Sequence, residues 1–379
     1  MKRSTDRIIT SHAGSLVRPA ALRELLVAKN ARRAYDEAAF QGLVREAVAD
    51  GVRRQVETGI DVVTDGELSK LSFTNYARER LGGIEERDTP PDAPIARVYG
   101  RDLDEFPEYF AGRGNVGGRE AVVVGPLRYI GRAAVQADID NLKAGLTPYP
   151  GVEAFLPAVA PGTIEHWLGN VHYGSEDDYL TAIADAMHEE YSAIVDAGFV
   201  LQIDDPDLGD GWQVHRDMDV AAYHRFAEKR IDALNYALRD IPEERVRFHI
   251  CWGSYHGPHK YDIPLAEIID LVYKVRAECY SIEASNARHE HEWRVFEAAP
   301  LPAGKSLMPG VIGHASDFVE HPELIAQRLV KYARLVGREN VIAGTDCGIP
   351  PRVGHETVGW AKFRAMIEGA RLASARLWP

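Results

Sequence analysis

The sequence predicts an α/β chain folded as a (β/α)8 TIM barrel, with an insertion between the second and third barrel strands. Three observations predict it. Helix, glycine, apolar run and polar residue recur in that order; eight such runs can be counted; and nearly every run ends in a side chain capable of chemistry. The chain has 379 residues, 45% hydrophobic and 27% charged, a balance that suits a barrel with insertions and excludes a disordered chain.

The eight runs are RIITSHAGS, DVVTDGE, FLPAVAPGT, FVLQIDDP, RFHICWG, CYSIEAS, LMPGVIGH and NVIAGTDCG. Parallel strands are covered on both faces, which is why such runs are nearly continuously apolar rather than alternating. The clearest helix is EDDYLTAIADAMHEEYSAIVDAG. Leu180, Ile183, Ala184, Met187, Tyr191 and Ile194 recur there at helical steps, and Gly198 is the stop. ELIAQRLVKYARLVG repeats the pattern and closes on Gly337. Residues 86–150 are rich in Pro, Gly and Asp without a clean helix, and read as an inserted hairpin with loops. EAVVVGPLRYIG, residues 120–131, is a ninth strand candidate within it. Residues 1–379 then form a single catalytic barrel. An open doubly wound sheet is the alternative, but no glycine-rich dinucleotide loop follows the first strand.

The net charge of −13, with no basic run, argues against nucleic-acid binding, because nothing would replace the phosphate counterions. Three scattered cysteines, Cys251, Cys279 and Cys347, make no disulfide framework and suggest a reducing compartment. MKRSTDRIITSHAGS lacks the apolar stretch of a signal peptide, and no run is long enough to span a bilayer. A cytoplasmic protein is expected, with its oligomeric state left open.

The polar run ends are His12 and Ser15, Asp65 and Glu67, Thr163, Asp204 and Asp205, His249 and Cys251, Glu283, His314, and Asp346 with Cys347. In a barrel these edges converge on one mouth. His249 and Cys251 share a strand face, because side chains alternate. With Glu283 and Cys347 they would offer an imidazole, two thiolates and a carboxylate, a donor set that suits tetrahedral zinc. Their spacing fits no compact zinc finger but does fit ligands gathered from different strands. Cys279, four residues before Glu283 on one strand, should lie about 13 Å further down and reads as packing. A lone His-x-Cys in a strand is more often packing, and a lone strand-end carboxylate is more often solvated or a helix cap. His289 and His291 read as a helix start facing water, and Trp167 as a loop anchor.

These residues carry a resemblance. SHAGSLVRP, DGE, APGTIEHW, LQIDDPDL, HICWG, SIEASNAR, PGVIGH and GTDCG occur in the order found in the catalytic barrel of cobalamin-independent methionine synthases, relatives of the epoxyalkane:coenzyme M transferases. The resemblance implies zinc held by His249, Cys251, Glu283 and Cys347. It implies that Glu67 and Asp204 hold the amino group of the thiol substrate, and that Gly14 and Ser15 bind its carboxylate. It places Trp167 against the pterin ring of a folate donor and makes His314 the acid/base histidine; Asp317, nearby in sequence, joins it as the candidate for proton delivery. The implied activity is transfer of a methyl or alkyl group to a small thiol, homocysteine first, activated as a zinc-bound thiolate. The donor would be a methyl-folate, a methyl-corrinoid or an epoxide. Thiol alkylation of the coenzyme M type is the alternative, and a non-catalytic zinc-binding barrel a more distant one. The chain is too short to include the additional N-terminal barrel of methionine synthase.

Overall fold

The computed structural model describes residues 1–73, 75–88, 96–111, 119–349 and 352–379. Its strands are β1 (Ile9–Thr10), β2 (Val62–Thr64), β3 (Leu81–Asp88), β4 (Arg119–Tyr129), β5 (Glu153–Val159), β6 (Leu168–Asn170), β7 (Val200–Asp204), β8 (Val246–Ile250), β9 (Cys279–Ile282), β10 (Ser306–Ile312) and β11 (Ile342–Thr345). Eight of them form one sheet in the order β1-β11-β10-β9-β8-β7-β5-β2. All its ladders are parallel. The sheet curls into a nearly closed barrel, as the eight apolar runs predict. Its seam lies between β1 and β2, where the Asp61 N–H donates to Thr10 O (3.1 Å) and Ser11 Oγ to Val62 O (3.0 Å) in place of a ladder.

The barrel interior is layered. Ile9, Val62, Phe155, Val200, Cys279, Met308 and Ile342 form a small apolar cluster separate from the main core. The ladder between β7 and β8 sets Gln202 beside Arg247, then Asp204 beside His249. Period-2 alternation aims all four the same way along the strands, so the polar character rises towards the mouth. Outside the strands, Glu176–Asp196 is a helix capped by Ser175 that buries the six residues its periodicity singles out. Pro322–Val336 ends, as expected, on Gly337, whose φ is +88°.

The stretch 86–150 departs from its reading. Arg132–Leu146 is a 15-residue helix that buries Val135, Ile139 and Leu142. It begins after Gly131 with no side-chain cap, so the usual start signal is missing. The hairpin begins at Leu81, with Leu81 opposite Tyr129 and Asp88 opposite Arg119. EAVVVGPLRYIG is therefore a strand, but it belongs with β3 and β6 in a second, three-stranded sheet. Buried Arg80 pairs with Asp138 and Glu190 beneath that hairpin. Helices Ala96–Glu105 and Pro107–Phe110 reach the helix Asp207–Val214 after β7 and the loop after β8. There Arg101 donates to Trp212 O (2.9 Å) and Tyr109 Oη to His256 O (2.9 Å). Residues 89–95 and 112–118 of the stretch lie outside the described residues. Among the described residues, no helix is long and apolar enough to cross a membrane.

Candidate metal centre and substrate cavity

His249 stands near the end of β8, with Cys251 just beyond it and Cys347 two residues past β11. The ligand atoms of these three lie within 4.8 Å of one another. His249 Nδ1 shares a hydrogen bond with Ser281 Oγ (2.9 Å), while Nε2 is buried with no hydrogen-bond partner among the described residues. A buried, unpartnered imidazole nitrogen beside two thiols is a donor set that fits zinc. The thiols are electrostatically unlike. Cys347 is held well below its ordinary value, first by its hydrogen bond with Cys251 and also by His249, whereas Cys251 is pushed well up by the same pairing and by burial.

Glu283 falls into an adjoining buried group with His314 and Asp346, again within 4.8 Å. Its carboxylate accepts from the Trp252 N–H (3.0 Å) and from Asn286 Nδ2 (2.6 Å), and burial with Asp346 nearby raises it to about 8. Asp346 accepts from the N–H groups of Ala284 (2.8 Å) and Ser285 (2.9 Å) and from Ser285 Oγ (2.6 Å). His314 is buried, its Nδ1 lying 4.0 Å from Glu283 Oε1. The structure does not bring Asp317 to it. Asp317 sits on the exposed loop beyond β10 and accepts instead from the Gly354 N–H (2.8 Å).

A cavity of about 710 Å³ opens over the three-residue group, with Ser15, Glu67 and Asp204 on one wall and Trp167, Tyr255 and Arg352 among its other lining residues. Gly66 (φ +71°) and Glu67 (φ +56°) both take left-handed backbone, a strained turn that carries the Glu67 carboxylate inward. Ser15 Oγ donates to Glu67 Oε1 (2.6 Å). Gly14, at φ +133°, is required there, because a Cβ would sit 3.0 Å from that same oxygen. Its N–H donates to His12 Nδ1 (3.2 Å). Burial raises Asp204 to about 7, against the pull of His249, with Glu67 adding like-charge repulsion. Half-buried Trp167 ends helix Pro161–Trp167 and stacks on His166 (4.9 Å between centroids, 12°), which hydrogen-bonds Asp207.

Cys279 packs in the apolar layer, as expected, its thiol pushed up by burial to about 11. His291 is exposed, but His289 is not: it stacks on Trp252 at 3.9 Å and hydrogen-bonds Asp262 (3.1 Å) and Glu292 (2.8 Å). The apolar face of Trp252, invisible to local periodicity, draws that ring inward. Gln202 and Arg247 were missed. Both lie inside apolar runs, two residues before Asp204 and His249, and that shared-face spacing was the available signal.

A parallel barrel whose mouth gathers an imidazole and two thiols beneath a carboxylate-lined cavity defines an α/β barrel with a candidate metal centre. The chain belongs to the cobalamin-independent synthase family, whose catalytic domain its residues 160–372 match. Methionine synthase of Saccharolobus solfataricus is 24% identical over 371 residues, 97% of this chain and 95% of that protein. The 2-hydroxypropyl-CoM lyase of Xanthobacter autotrophicus is 24% identical over 375 residues, 90% of this chain and 88% of that protein. A B12-independent methionine synthase from a Shewanella species, solved in complex with selenomethionine, shares the fold. Its TM-score is 0.74 at 22% identity, covering 98% of this chain and 99% of that one. The family resemblance carried by the sequence blocks is thereby borne out.

Proposed function

We propose that this protein is a zinc-dependent cytoplasmic transferase that moves a methyl or alkyl group onto a small amino-acid thiol, with homocysteine the favoured acceptor. The observation that carries the reading is the convergence of His249, Cys251 and Cys347 under a wall bearing Glu67 and Asp204. His249, Cys251 and Cys347 would hold the metal, with Glu283 beside them as the fourth candidate. Bound there, zinc would supply Lewis acidity that keeps a substrate thiol deprotonated at neutral pH.

The chain's own residues do the rest. Glu67 and Asp204 receive the substrate's ammonium group by charge-assisted hydrogen bonds. The Gly14 N–H is already engaged by His12 and the Ser15 hydroxyl by Glu67, so the backbone N–H of Ser15 carries the carboxylate contact, and Gly14 supplies the close approach. Trp167 offers a flat apolar face to the donor. His314 is the proton carrier towards the donor's leaving atom; because burial disfavours its charged form, it acts by taking a proton up and passing it on.

The test is zinc content and X-ray absorption at the metal edge, with and without homocysteine. One zinc per chain whose sulfur count rises from two to three on adding homocysteine supports the reading; a protein that binds no zinc overturns it. A second reading, coenzyme M as acceptor, is favoured by the guanidinium groups of Arg18 and Arg352 in the same cavity, which suit a sulfonate. Zinc present but responsive only to coenzyme M selects it.

A further inference from the structure

We propose that Arg247 and Gln202 are positioning residues that aim Asp204 at the amino group of the thiol substrate, an inference that rests on the role of Asp204 given above. Arg247 is 1% exposed at the centre of the barrel and, among the described residues, makes no ion pair. A guanidinium in such a place carries a desolvation cost that an apolar side chain would avoid. It spends its donors across the barrel: Nε to Gln202 Oε1 (2.7 Å), Nη1 to Ser11 Oγ (2.9 Å) and Nη2 to His12 O (3.2 Å), with Phe155 under its plane at 3.9 Å.

The consequence falls on Gln202. A guanidinium only donates, so the amide must turn its oxygen to Arg247 and its nitrogen the other way. Gln202 Nε2 then donates to Asp204 Oδ1 (2.7 Å) and to Ala13 O (2.6 Å). Both amide hydrogens are used, so the side chain is locked, Asp204 is held by one oxygen, and Oδ2 is left for the ligand. Ala13 precedes Gly14 and Ser15. One buried cation therefore fixes the carboxylate that takes the amine and the loop that takes the substrate's other end. Without Arg247 the amide oxygen loses its donor, and the amide that aims Asp204 is left with two of its three bonds.

The test compares calorimetric titration of the zinc-loaded protein with homocysteine and with 4-sulfanylbutanoate, which lacks only the amino group. Wild type is expected to prefer homocysteine. Gln202→Met and Arg247→Met are expected to lose about tenfold of that preference, with zinc content unchanged, the size of one hydrogen bond to a charged group. Arg247→Lys, still a donor, keeps most of it. Should Arg247→Met fail to fold, Gln202→Met decides. A preference kept in the Met variants, or equal weakening of both thiols, overturns the positioning role while leaving that of Asp204. A wild type that does not distinguish the two thiols overturns both.

Discussion

The backbone N–H of Trp252 donates to Glu283 Oε2 at 3.0 Å. That bond, with the one from Asn286, occupies both oxygens of Glu283 and sets it in the group beside His249, Cys251 and Cys347 rather than in it. Zinc should therefore depend less on Glu283 than on the three. Glu283→Gln is expected to weaken zinc by about 10- to 100-fold, the usual effect of changing a supporting group. Competition titration with a chelator measures this; loss as complete as on removing a thiol would refute it.

Cys251→Ser and Cys347→Ser each remove a soft donor from the cluster. Both are expected to lose bound zinc and all thiol alkylation while keeping the helical circular-dichroism signal of the barrel, since neither thiol belongs to the apolar layer. Metal analysis and an alkylation assay check this, and full activity in either variant would sink the proposed chemistry.

His12 is buried and accepts at Nδ1 from Gly14, so the neutral ring must carry its proton on Nε2, where it donates to Gln55 Oε1 (2.8 Å). Burial, helped by Arg247, lowers it to about 4, below the ~6.5 of an unfolded chain. Between those values the unfolded chain binds a proton that the fold refuses. The contribution to stability is therefore full above about pH 6.5 and is lost as the pH falls towards 4, at up to about 1.4 kcal/mol per pH unit. Urea unfolding of wild type and His12→Gln from pH 4 to 7 should show the two curves converging on acidification. Parallel curves count against it.

Glycine to alanine should act with opposite signs at two positions. At Gly310 the new Cβ would lie 2.0 Å from Asp346 Oδ1, displacing the carboxylate that holds the ends of β9 and β11 together. A loss of about 2 kcal/mol or more is expected from overpacking. At Gly42, inside helix Glu37–Thr58, nothing lies within 4 Å of such a Cβ. A gain of about 0.5–1 kcal/mol is expected there. Denaturant midpoints decide both.

Trp167→Ala should raise KM for the alkyl donor about tenfold or more, as expected for removing a stacking face. Thiol affinity should be unchanged, because Glu67, Asp204 and the three candidate ligands stand on other elements. Equal loss towards both substrates would remove Trp167 from the donor side.

The strands and long helices were legible because their signals are local: the period of Leu180 to Ile194, the stop at Gly337, the carboxylates closing FVLQIDDP. The helix Arg132–Leu146 was not, because it starts without a cap. Barrel geometry was enough to suggest that His249, Cys251 and Cys347 meet, since strand ends must converge. Where Glu283 and Asp317 would go was decided by hydrogen bonds to Trp252 and Gly354, partners distant in sequence. His289 was misread for the same reason, and Arg247 passed unnoticed because an arginine in a strand ordinarily reaches water.

The seam between β1 and β2 has a consequence for motion. Elsewhere the barrel is joined by backbone ladders; here side chains do most of the joining, with Arg7 and Thr10 bonded to Asp61 and Ser15 to Glu67. Gly14 and Ser15 continue from one edge, and Glu67 from the other. The lips are thus tied through the Ser15–Glu67 contact on which the proposed acceptor's head group seats, and a ligand that takes over either side chain should change amide exchange along this seam more than elsewhere in the hoop.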